Sequence, residues 1–149
     1  MKGLKLSALI SAIALSLPTV ALAQTTPADR DYINDLFNFL ENEDAITYEL
    51  ATQAMSPEDS VWAAQMFCET FSAGVSPAAA FSVYTSAAIG EASNQGASIT
   101  DEMAYAVGLY GGAVMNIGST HYCPQYQTQV EQALRSIGTE AGVDSLDLG

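Results

Sequence analysis

Along residues 27–41 the apolar positions fall in a helical rhythm. Ile33, Leu36, Phe37 and Leu40 stand at i, i+3, i+4 and i+7, and Asp31, Asn34, Asp35, Asn38 and Glu41 face the other way. That spacing lays one apolar stripe along an α-helix. Thr26-Pro27 marks its start, because proline at the first helical position gives up only an N–H that has no intrahelical partner. Residues 42–55 are less periodic. A short helix from about Ile46 would turn Ile46, Leu50 and Met55 inward.

Ser56-Pro57-Glu58-Asp59 is a second start, with a serine cap and acids at the positive end of the helix. Val61, Ala64, Cys68 and Phe71 form its inner stripe; Glu58, Gln65, Glu69 and Ser72 form the polar one. Gly74 stops this helix, and Val75 is placed to fold back on Phe71. Ser76-Pro77 opens another helix to about Ala92, with Phe81, Tyr84 and Ala88 inward. Asn94-Gln95-Gly96 reads as a loop.

Thr100-Asp101-Glu102 begins a helix of a different kind. Residues 103–117 are apolar nearly all round, and Asn116 is the only strongly polar side chain. A helix without a polar face is buried centrally. It falls short of the roughly 20 apolar residues a bilayer span takes. Pro124 then suits the first position of a last helix, with Tyr126, Val130, Ala133, Leu134 and Ile137 on one face and Gly138 as its stop. Acids and glycines in residues 139–149 predict a flexible acidic tail. Strand alternation is scarce and no repeat is evident. The expected fold is all-α: a small orthogonal or irregular bundle of four to five helices, one domain over residues 24–138.

The amino-terminal segment changes the setting. Lys2 and Lys5 precede an apolar run over residues 6–17, and Ala21-Leu22-Ala23 gives the small-x-small pattern of a signal-peptidase site. Residues 1–23 therefore read as a cleaved signal peptide, with Gln24 first in the mature chain. No cysteine at that junction offers a lipid attachment point, so no stable membrane anchor is expected. The whole chain carries a net charge of −13, and all 17 acids lie beyond the leader. Only Arg30 and Arg135 oppose them there. Nucleic acid and anionic membranes would repel such a chain.

Two cysteines in an exported protein suggest one disulfide, Cys68–Cys123. The competing reading is a thiol nucleophile with His121 as its base. Residues two apart on a helix point about 200° apart, which is poor geometry for that pair. One histidine and two distant cysteines match no compact zinc pattern. The acidic pairs Glu58/Asp59 and Asp101/Glu102 open helices, where the macrodipole accounts for them; Glu41, Glu43 and Asp44 look solvated. No calcium-loop pattern is present. The sequence thus nominates no catalytic residue, metal ligand or cofactor. One feature remains: Ala104, Gly108 and Gly112 at i, i+4 and i+8, with Gly111 alongside. Mid-helix glycine costs about 1 kcal/mol relative to alanine. Either another helix crosses closely there, or a narrow apolar groove stays open for a small ligand, lined by Tyr105 and Tyr110.

The run from Met66 through Phe81, the apolar helix and then His121-Tyr122-Cys123-Pro124 resemble the secreted, typically actinobacterial family called domain of unknown function 732. Cys68, Gly74, Ser76, Tyr122, Cys123 and Pro124 carry the likeness, with Phe37 to Leu40 similar to an earlier element. The resemblance covers about residues 31–134. It implies a small exported helical domain with one disulfide and no assigned activity. The long glycine-rich helix and the absence of lysine after Lys5 depart from it. Cys68-Glu69, Phe71 and the amphipathic helix after Cys123 are also similar to periplasmic acid-stress chaperones. Against that activity stands a pI near 4.1, where the chain would lose its net charge in the acid such a chaperone must work in. The function expected is binding or interaction outside the cytoplasm, in the periplasm or secreted, by a non-enzymatic protein. Its partner would be an unknown protein or a small apolar ligand.

Overall fold

The computed structural model describes residues 25–140, so the expected signal peptide and most of the expected tail lie outside the described residues. Among the described residues six α-helices follow one another: α1 Pro27–Glu43, α2 Ala45–Ala54, α3 Pro57–Ser72, α4 Pro77–Asn94, α5 Asp101–Tyr122 and α6 Gln127–Glu140. A 3₁₀ turn, Pro124–Tyr126, leads into α6. The all-α class is as expected, with one helix more than the four to five anticipated.

Local chemistry fixes the helix starts. Thr26 and Ser56 each form a capping box, with Asp29 and Asp59 reaching back to the cap backbone. Ser76 and Thr100 cap α4 and α5 through their hydroxyls. The stops are equally specific. Gly74 (φ 89°) and Gly96 (φ 80°) adopt the left-handed conformation that glycine takes without steric cost. At α3, Gly74 N–H donates to Phe71 O and Val75 N–H to Thr70 O; Gly96 and Ala97 repeat the pattern on Ser93 and Ala92. Both are Schellman ends. Val75 itself is 40% exposed.

The short helix anticipated within residues 42–55 is α2, but its inward face differs from the one expected. Asp44 ends α1 through its N–H to Leu40 O and begins α2 by accepting from both the N–H and the hydroxyl of Thr47. That pairing lets Thr47 go fully inside with Leu50 and Ala51. Ile46, one residue earlier, is turned outward and is 53% exposed, contrary to the inward position expected of it. Two smaller boundary differences follow. Pro124 opens the 3₁₀ turn instead of α6, and α6 passes Gly138 to end at Glu140.

The long apolar helix takes the centre, as its uniform hydrophobicity predicts: each of the other five α-helices packs on α5. Its buried run from Tyr110 to Met115 meets Leu36 and Leu40 of α1, Ala64 and Phe67 of α3, Phe81 of α4, and Val130 and Leu134 of α6 in one core. Among the described residues no helix is long and apolar enough to cross a membrane.

Candidate functional site

Cys68 and Cys123 are bonded, joining the inner stripe of α3 to the residue that ends α5, with Cα atoms 5.8 Å apart across a sequence separation of 55. Both sulfurs are thereby occupied, and Cys68 and Cys123 are 8% and 2% exposed. Aromatic rings shield this end of the molecule: Phe71 packs against Tyr126 at 5.7 Å and against Phe67 at 6.1 Å.

His121 is not directed at either sulfur. Its Nε2 lies 2.8 Å from Asp35 Oδ2, and its ring meets Tyr32 edge-on at 6.1 Å. Nearly two turns of α1 away, Tyr122 O–H donates to Asp29 Oδ1 at 2.7 Å, while Asp29 Oδ2 accepts from Thr26 N–H. Two acids of α1 therefore hold adjacent residues of α5. Burial pushes the Asp29 carboxyl up, but the Thr26 backbone, the Tyr122 phenol and the Thr26 hydroxyl donate to its ionised form, and the net shift is downward.

Deeper in, Tyr32 O–H donates to Ser60 O at 3.0 Å, and Ser60 Oγ pairs with Tyr110 O–H at 2.8 Å. Burial raises the phenols of Tyr32, Tyr84, Tyr110 and Tyr122 above their ordinary value, so they remain neutral at physiological pH. On the opposite side of α5, Gln127 collects the polar atoms. Its Oε1 is 2.8 Å from both Ser119 Oγ and Thr120 Oγ1, and its Nε2 donates to Asn116 Oδ1. The lone polar residue of the apolar run is thus paired to α6. Among the described residues, no buried side-chain nitrogen or oxygen lacks a partner.

The glycine stripe divides into two parts. A Cβ on Gly111 would come within 2.6 Å of the Tyr84 ring, and one on Gly112 would contact Leu134 at 3.5 Å, so α4 and α6 cover these two positions. Gly108 has open space where a side chain would go. Ala104 and Gly108 are half-buried. Tyr105 and Tyr110 do not line one groove: Tyr105 is 47% exposed, whereas Tyr110 is 3% exposed and bonded to Ser60. Five residues apart on a helix, they face different ways. The closest crossing occurs at Gly118, where a Cβ would stand 2.6 Å from Ala64 Cβ and 3.2 Å from its Cα. A search for glycines at i+4 spacing ends at Gly112 and passes over it.

Trp62 and Met66, one helical turn apart on α3, are 37% and 38% exposed. The signal was present in the sequence: both fall outside the inner stripe of α3, on the side of Glu58, Gln65 and Glu69. Compared with protein-family models, with curated proteins and with solved structures, the chain matches none of them.

Proposed function

We propose that this chain is an exported, non-enzymatic helical protein that works by non-covalent interaction. The Cys68–Cys123 bond carries the reading. Bonds of this kind persist in oxidising compartments, and this one takes up both thiols of the chain. The pattern of residues 1–23 agrees with export. The single histidine is held by Asp35, the Tyr32 hydroxyl by the Ser60 carbonyl, and the Ser60 and Tyr110 hydroxyls by each other, so these groups act as fasteners between helices. The likeness to the domain of unknown function 732 family belongs to the same proposal. The small apolar ligand remains an alternative only at the Ala104–Gly108 end, because Gly111 and Gly112 are covered.

Expression of the full chain in a bacterial host tests the compartment. The expected product is extracytoplasmic, begins at Gln24, and is not alkylated without prior reductant. A cytoplasmic product with two reactive thiols would overturn that half. For the interaction half, the oxidised protein should gain thermal stability from some member of a panel of peptides, lipids and metabolites, with no member chemically altered. Turnover of any of them would overturn it.

A further inference from the structure

The outer face of α3 carries a continuous stripe. Glu58, Trp62, Gln65, Met66 and Glu69 are neighbours at three- and four-residue spacings, and all are exposed. Isolated exposed apolar side chains are ordinary. Trp62 and Met66 differ from Ile46, Val75, Val83 and Tyr105 in being set one turn apart, where they form a shared apolar spot. An acid bounds that spot at each end. Asp59, next to Glu58, is used in capping Ser56, whereas Glu58 and Glu69 make no ion pair among the described residues.

Charge selects the occupant. A second copy of this chain would bring Glu58 and Glu69 toward its own acids, with a net charge of −13 on each molecule. Anionic lipid and nucleic acid are repelled for the same reason. A cationic surface meets the opposite condition. Lysine or arginine would pair with the two carboxylates and be drawn to the face of the indole by its quadrupole. Apolar residues would lie against the ring and the adaptable thioether. Tryptophan is also among the residues that most often anchor interfaces. Resting on the interaction reading above, we infer that this face of α3 docks a cationic amphipathic helix of a partner protein.

Trp62 is the only tryptophan of the chain, so its fluorescence reports on this face alone. The oxidised full chain would be titrated with an amphipathic leucine–lysine peptide, its leucine–glutamate counterpart, and phosphatidylglycerol vesicles, by calorimetry and emission together. The expected result is binding of the lysine peptide only, with a blue shift and protection of Trp62 from acrylamide. Glu58→Gln with Glu69→Gln should weaken binding about tenfold, as should Met66→Ser. Glu41→Gln with Glu43→Gln, which removes the same charge from exposed positions of α1, should leave it within about twofold. Binding without a change in Trp62 emission, or equal loss in both charge-removed pairs, would overturn the docking face while leaving the interaction reading intact. Absence of lysine-peptide binding, preference for vesicles, or a dimer that buries Trp62 would overturn the inference as well. Failure of the interaction reading shows separately, as turnover of a compound in the stability panel.

Discussion

Asp29 shows how much one side chain contributes when it serves two partners. It closes the capping box of α1 and accepts the Tyr122 phenol from the end of α5. Its folded pKa lies below the usual 3.8, so the unfolded chain binds the proton more readily. The stability it supplies is fully present above pH 3.8 and is lost as pH falls through the lower, folded value. The gap in urea-unfolding stability between wild type and Asp29→Asn should hold steady down to about pH 4 and close below it. Tyr122→Phe removes a hydrogen bond to a charged group and should cost about 1.5–3 kcal/mol at neutral pH. It should also move the Asp29 titration, followed by carbon NMR, back toward its usual range. The cap follows from the Thr26-x-x-Asp29 spacing, but the second role cannot be read from spacing. Asp29 sits in the first helical turn of α1, where an acid is expected for its effect on the helix end alone, and its partner is 93 residues away.

At the scale of elements, the helix starts were legible because caps are local: Thr26-Pro27, Ser56-Pro57, Ser76-Pro77 and Thr100 all act within three residues. Inward faces were legible where apolar residues define them, as in α3 and α6. They were misread where a polar group is buried with a partner. Thr47 displaces Ile46 for that reason, and Tyr32 and Ser60, both fully buried, were passed over. The extent of the candidate groove was not legible for another reason, since spacing along α5 cannot say which neighbour approaches which glycine. Three substitutions separate the cases. Gly118→Ala sets a methyl against Ala64 backbone and should destabilise by about 1–3 kcal/mol. Gly111→Ala meets side chains alone, crowding the Tyr84 ring and touching Phe81 at 3.5 Å, and should cost less, helix propensity offsetting part of the strain. Gly108→Ala meets nothing and should stabilise by up to about 1 kcal/mol. Chemical denaturation of the three variants checks the order.

For the whole molecule, the disulfide is the largest single constraint. Its loop spans 55 positions, and the chain-entropy account gives such a closure about 4 kcal/mol. Domains of this size have about 5–15 kcal/mol in total. The Cys68→Ala, Cys123→Ala double variant should therefore unfold at markedly lower urea, by about 4 kcal/mol in extrapolated stability. Loss of less than about 1 kcal/mol would mean that packing on α5 already confines the chain. The covalent tie, the Asp35 and Asp29 contacts and the Gln127 cluster all grip the same few residues, Asn116 to Cys123. Near Gly108, among the described residues, the helix is held more lightly, by the packing of Ala106 and Leu109 and the Tyr110–Ser60 hydrogen bond, with no covalent tie. The central rod is therefore anchored like a mast stepped at its foot. Thermal fluctuation should loosen the molecule from the amino end of α5 downward, leaving the sulfur-bearing base as the last part to come apart.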